Sequence, residues 1–202
     1  VFHATCKKDK TFKPLLAGND VARYLVKWNG EQWISYGSWL GAAREQRFFT
    51  EKRILVKQII DWTTKRIWAS ITEEELYNTQ NAFNLLARKD VSLEYVLGVL
   101  NSKLMTFYHR KRFLDEFKMR FQKILIKDCK RVPIHQIDQK SGYERERHDQ
   151  IVNLVSQMLG LHKRREMAHT PQEKTAIDRQ ISATDAQIDQ LVGYIADNTV
   201  GS

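Results

Sequence analysis

The chain has 202 residues, 42% of them apolar, which is enough to bury one substantial core and excludes a disordered tail. No run approaches the roughly 20 apolar residues needed to cross a bilayer, and the start, Val1 to Lys7, lacks the apolar stretch of a signal peptide. The net charge of +9 is unevenly spread: residues 1 to 140 hold 26 Lys/Arg against 15 Asp/Glu, a net of +11, and residues 141 to 202 hold 7 against 9, a net of −2. A polyanionic partner for the front part is the natural inference, with general solubility as the plainer alternative.

Cys6 and Cys129 are the two cysteines, far apart in sequence, so a disulfide framework is unsupported and a reducing compartment fits. The chain reads as soluble and cytoplasmic. Without Met at Val1 it also reads as a fragment or a processed chain with neighbours upstream.

In chain order, the first predicted element is a hairpin. Asn29-Gly30 lies between two strand-like runs, Ala22 to Trp28 and Gln32 to Tyr36, and that dipeptide favours a tight turn. Further strands are predicted over Arg53 to Ile59, Ile67 to Ile71 and Asn84 to Ala87, each short and bounded by polar residues. Ser92 is placed to cap a helix running to about Tyr108, with Glu94 near its positive end and a stripe at positions 93, 96, 97, 100 and 104. The densest basic segment follows, His109-Arg110-Lys111-Arg112 and then Lys118, Arg120, Lys123, Lys127, Lys130 and Arg131.

The tail carries two runs of three-four spacing, Ile151, Leu154, Met158, Leu161 and then Ile177, Ile181, Thr184, Ile188, Leu191, Ile195, which predict two antiparallel helices. Between them Thr170-Pro171-Gln172-Glu173 is a capping box with Pro in the first helical position. The expected fold class is α+β: an irregular mixed body over residues 1–140 and a helical hairpin over residues 141–202 serving as spacer or brace.

The nine glycines match neither a P-loop nor a dinucleotide-binding array, and none flanks a serine as a nucleophile elbow would. Pro14, Pro133 and Pro171 are never adjacent, so the Asp/Asn-Pro-Pro-aromatic motif of adenine methyltransferases is missing. Asp115-Glu116-Phe117-Lys118 holds an acid-x-Lys unit without the separate acidic partner of a nuclease. For zinc, His3 with Cys6 and Cys129 with His135 fall short of four compactly spaced ligands. No catalytic residue and no metal site is therefore assigned to this chain, and no cofactor.

An ordered series of segments resembles a known family. It comprises Phe12-Lys13-Pro14-Leu15-Leu16-Ala17-Gly18-Asn19-Asp20-Val21, Glu51-Lys52-Arg53-Ile54-Leu55-Val56, Tyr95-Val96-Leu97-Gly98-Val99-Leu100-Asn101-Ser102-Lys103-Leu104, Cys129-Lys130-Arg131-Val132-Pro133-Ile134, and Ile188-Asp189-Gln190-Leu191-Val192. This resembles the TaqI-like C-terminal specificity domain of type II and type IIG restriction-modification enzymes, over about residues 12 to 195. Two departures occur: His135 stands where the family exit has a second Pro, and Ile195-Ala196-Asp197-Asn198 replaces its Tyr-Gly-Leu.

The resemblance implies a non-catalytic module seated over the major groove of double-stranded DNA, choosing sequence for an adenine-N6 methyltransferase that is fused upstream or separate. That part would bind S-adenosylmethionine, and magnesium where the parent enzyme also cuts; no membrane partner is implied. Phosphate contacts are expected from Arg110, Lys111, Arg112, Lys118, Arg120 and Lys123. Base-reading candidates are Arg44, Gln46, Arg47, Lys65 and Arg66, with Asn78 and Asn81 in a second stretch; ordinary solvated charge is the competing reading for each. Two alternatives stay open: an interaction module using the hairpin's apolar seams, and a stand-alone magnesium-dependent nuclease around Asp115, Glu116 and Lys118.

Overall fold

A continuous apolar run marks the strand at the middle of the body. In the computed structural model, which describes residues 2–61, 63–88, 90–114 and 122–199 (backbone alone over 197–199), Ile54, Leu55 and Val56 are fully buried. The strands are β1 (His3–Ala4), β2 (Phe12–Leu16), β3 (Val21–Ala22), β4 (Leu25–Val26), β5 (Trp33–Ser35), β6 (Arg53–Lys57), β7 (Ala69–Thr72), β8 (Tyr77–Asn78) and β9 (Ala82–Leu85). The helices are α1 (Arg47–Thr50), α2 (Leu93–Asn101), α3 (Lys103–Phe113), α4 (Ile126–Cys129), α5 (Gly142–Met167) and α6 (Pro171–Thr199). Strands followed by helices make this the α+β class expected.

β6 lies between β7 and β9, antiparallel to both, with Ile54 opposite Ile71 and Leu55 opposite Asn84. The two-residue period of a strand divides its side chains between two clusters. Ile54 and Val56 join Ile67, Leu97 and Leu100, whereas Leu55 joins Leu16, Val21, Leu76 and Ala82. Arg53, wholly buried, donates to the carbonyls of Glu51 (3.0 Å), Glu74 (3.1 Å) and Leu76 (2.7 Å) and to Asn84 Oδ1 (3.3 Å). Burial pushes its guanidinium down to about 10, still charged at neutral pH, so it ties the residues just before β6 to the connection between β7 and β8.

The predicted Asn-Gly hairpin is corrected in its pairing. The Asn29-Gly30 turn forms, with Gly30 at φ +83° and the Asn29 side chain accepting from the Glu31 amide at 2.9 Å. The run before it, however, folds on itself as β3 and β4, Val21 opposite Val26. Tyr24 turns that hairpin at φ +60°, held there by burial of its ring and a 2.9 Å bond from its amide to the Ala69 carbonyl. β5 therefore pairs with β1 and β2 instead, and β8 extends that sheet in parallel with β2.

The single helix predicted from Ser92 is also corrected: it breaks at Ser102. Ser92 caps α2 by accepting from the Tyr95 amide (3.2 Å), and Ser102 caps α3 by accepting from the Met105 amide (3.1 Å). The break shifts the helical phase, so Leu104, expected in the buried stripe, is 40% exposed while Met105 is buried.

The helical hairpin is as its periodicity predicts. The Thr170 hydroxyl accepts from the Glu173 amide (3.2 Å), and Glu173 Oε2 returns to the amides of Thr170 (3.2 Å) and His169 (3.1 Å). Its seam does not close on itself alone: Ile151, Val155, Met158 and Ile188 belong to the cluster that contains Ile54 and Leu97. Gly98 permits this, because a Cβ there would lie 2.9 Å from Cγ2 of both Ile151 and Val155, β-branched side chains with little freedom to move aside. Gly98→Val is expected to cost about 1 to 3 kcal/mol by overpacking. The check is a lower urea midpoint at unchanged slope; an unchanged midpoint would contradict this close packing.

Candidate nucleic-acid interface

Two loop regions present the exposed polar candidates. In the first, between β5 and α1, the Tyr36 hydroxyl donates to the Arg44 carbonyl (2.8 Å) and accepts from the Arg44 amide (2.6 Å). The Tyr36 ring packs on Tyr77 and Phe49, at centroid distances of 4.6 and 5.3 Å. Trp39 donates to the Ser35 carbonyl (3.3 Å) and lies across Gly37, where any Cβ would meet the indole at 2.4 Å. The loop is thus fixed at both ends on an aromatic base. Arg44, Gln46 and Arg47 are exposed on it, Gln46 flanking α1 without capping it. Arg47 pairs with Glu45 at 2.8 Å and lies 5.2 Å from the Phe48 ring centroid.

The second region extends β6. Gln58 donates to the Asn81 carbonyl and accepts from the Ile124 amide, both at 2.9 Å, and Ile59 bridges to Lys123. Asn81 and Lys123, unconnected in sequence, are thereby brought to either side of residues 58–60, both exposed. The following turn is built on Asp61, whose Oδ2 accepts from the amide and hydroxyl of Thr64, each at 2.6 Å, and it sets Lys65 at φ +56°. Lys57, missed in sequence, ends β6 at 4.7 Å from the Trp68 ring, and burial lowers its pKa. Its place is visible through the cross-strand register alone, so no local signal could have found it.

Two candidates are spent inside the fold. The Asn78 amide donates to the carbonyls of Thr79 (3.0 Å) and Ala82 (2.8 Å) and its oxygen accepts from Asn84 (2.9 Å), which holds the β8–β9 turn. Arg66, 13% exposed, binds Asp185 (2.8 Å) and Asp189 (3.4 Å) of α6. Arg23 joins them, paired with Asp185 and donating to the Asn101 carbonyl at 2.9 Å. These pairs fasten the hairpin to the body.

Of the phosphate candidates, Arg110, Lys111 and Arg112 are exposed on α3, which buries Met105, Thr106 and His109. Lys118 and Arg120 lie outside the described residues, as do Asp115 and Glu116 of the nuclease alternative. Among the described residues, no group of three or more His, Cys, Asp or Glu could hold a metal ion. No described helix is long and apolar enough to cross a membrane.

The profile of the TaqI-like C-terminal specificity domain matches residues 13–134. The chain belongs to this family. The match runs from β2 through the segment after α4 and stops before the hairpin. No curated protein matches the chain. A similar solved structure is that of the Type IIL restriction-modification enzyme MmeI in complex with DNA, at 10% identity and a TM-score of 0.62. The likeness covers 94% of this chain, hairpin included, and 28% of the enzyme, so the chain spans little more than a quarter of that length. At this identity the likeness is one of fold. Family membership makes residues 13–134 a specificity domain.

At the junction of hairpin and body, His162 of α5 packs against Tyr24, centroids 5.8 Å apart, with Nε2 buried and without a hydrogen-bond partner among the described residues. Burial, reinforced by Arg23 and Arg165, pushes its pKa down to about 4, against weaker opposing pulls from Asp185 and Asp178. Burial also works to raise the Asp185 carboxyl, but Arg23 and Arg66 outweigh it and hold the group below its ordinary value. Between the ordinary histidine value of 6.5 and about 4, the unfolded chain binds a proton at His162 that the folded chain refuses, so stability falls as pH falls through that window. The loss from Asp185 follows at lower pH. The thermal midpoint is expected to drop from pH 6.5 to 4 and His162→Phe to flatten that drop; an equal drop in both proteins would remove His162 as its cause.

Proposed function

We propose that this chain selects a duplex DNA sequence for an adenine-N6 methyltransferase, fused upstream or held as a separate partner. S-adenosylmethionine belongs to that part, and magnesium as well where the parent enzyme cuts. The chain itself contributes recognition without catalysis. The observation that carries this reading is the partition of charge, +11 over residues 1 to 140 and −2 over the rest, on a specificity-domain fold.

Recognition falls to residues 1–140 and bracing to the hairpin. Arg110, Lys111, Arg112 and Lys123 supply phosphate contacts, which set register and carry no sequence information. Arg44, Gln46 and Arg47 on the fixed loop, with Lys65 and Asn81 in the second region, supply directed hydrogen bonds to base edges. Arg66 and Asn78 support these elements instead, their polar atoms being committed within the fold. The interaction-module alternative is disfavoured because the hairpin's seam is packed into the body's core.

Duplex affinity, read by fluorescence anisotropy, is expected to fall steeply with salt, by about 0.9 log unit per log unit of salt for each phosphate contact. Arg110→Ala with Arg112→Ala should weaken all duplexes alike and lower that slope by about two. Arg47→Ala should cost about 1 to 3 kcal/mol at the cognate site and little elsewhere. Absence of duplex affinity at low salt would overturn the reading, and magnesium-dependent cleavage by the chain alone would replace it with the nuclease.

A further inference from the structure

α3 exposes an aromatic side chain that its packing does not use. Phe107 is 62% exposed, on the side opposite buried Met105, Thr106 and His109. Helical spacing places Lys103 and Leu104 one turn before it and Arg110 and Lys111 one turn after it. The helix, Lys103 to Phe113, contains no acidic residue. Asp189 pairs with Lys103 at 3.3 Å, on a side chain 73% exposed, an interaction of little strength in water.

The helix is held from its inner side and its start. Asp189 Oδ1 accepts from the Lys103 amide at 2.7 Å, the Ser102 hydroxyl caps the first turn, and the Thr106 hydroxyl donates to the Ser102 carbonyl at 2.9 Å. An aromatic ringed by three cations on such a fixed helix is poorly matched to a protein partner, since the centres of protein interfaces are depleted in lysine. It is well matched to a duplex: a helix about 10 to 12 Å across fits a major groove about 12 Å wide, with phosphates along both rims.

Resting on the DNA-recognition reading above, we infer that α3 enters the major groove, with the Phe107 ring against base edges and Lys103, Arg110 and Lys111 on the flanking phosphates. Phe107 is then a specificity-determining residue, and it makes an apolar contact of the kind that distinguishes a thymine methyl from the other groove edges.

The test is selection of bound duplexes from a random pool with the full chain and its Phe107→Ala variant, followed by anisotropy titrations on the enriched sequence. The exposed position leaves the thermal midpoint unchanged. Phe107→Ala is expected to lose preference at one or two adjacent base pairs and to bind the enriched duplex roughly tenfold more weakly. Its salt slope should match the parent's, whereas Lys111→Ala should lower the slope by about one. Enrichment of the same sequence at the same affinity by Phe107→Ala would overturn the assignment of α3 while leaving DNA recognition standing. Loss of self-association with unchanged DNA affinity would overturn it in favour of a protein-facing surface. A parent chain that enriches nothing would overturn the DNA-recognition reading, and this inference with it.

Discussion

The side chain of Asn101 ties α2 to β7 at the point where the basic helix α3 begins. Fully buried, it accepts from the Ala69 amide at 3.1 Å and donates to the Ala69 carbonyl at 3.0 Å, pairing with β7 as another strand would. Its own carbonyl accepts from Arg23, which also holds Asp185 of α6. Leaving such buried groups unpaired would cost about 1 to 3 kcal/mol each, so the α2 terminus has little freedom to sit elsewhere. Because Asn101 must face the sheet, the helix ends there, and Ser102 and Asp189 start α3 in a new direction. The start of the basic helix is thus held by the Asn101 pairing behind it and by Ser102 and Asp189 at its first turn.

This arrangement separates what holds the fold from what is offered to a ligand. Arg23, Arg53 and Arg66 are cations of the basic front part, yet their guanidiniums are bound to carbonyls and carboxylates within the chain. Other cations stay exposed, among them Arg110, Lys111 and Arg112 on α3, Arg44 and Arg47 at the loop before α1, and Lys123 beside residues 58–60. Each of these is anchored on packed elements, the aromatic trio of Tyr36, Phe49 and Tyr77 for the loop and the β6 extension for Asn81 and Lys123. Loops on a rigid support are the usual bearers of recognition, because their side chains reach a ligand without first having to be ordered.

Local chemistry was legible in sequence and long-range pairing was not. The hairpin helices and their capping box could be read because periodicity and the Thr170–Glu173 exchange lie within a few residues of each other. β6 was legible as an uninterrupted apolar run, and the ordered family segments led to the family itself. The partner of β5 was not, since Asn29-Gly30 specifies a turn without specifying which strand receives it. The spacing that places Leu104 in the core presumes an unbroken helix, whereas the chain is extended at Ser102, which starts α3 as its cap. Arg66 looked like any surface arginine because its carboxylates lie on α6, more than a hundred residues later. For the site, charge partition could be read at the level of regions; which cations are committed inside the fold became visible through their partners alone.

In the proposed function, DNA meets residues 1–140 and the hairpin serves as their brace. Hydrogen exchange measured on the chain with and without a saturating duplex tests this most directly. Slowed exchange in the loop of residues 36–47, in residues 58–61 with 122–124, and in α3, with the outer faces of α5 and α6 unchanged, is the result the account requires. Protection confined to α5 and α6 while the duplex is bound would contradict it.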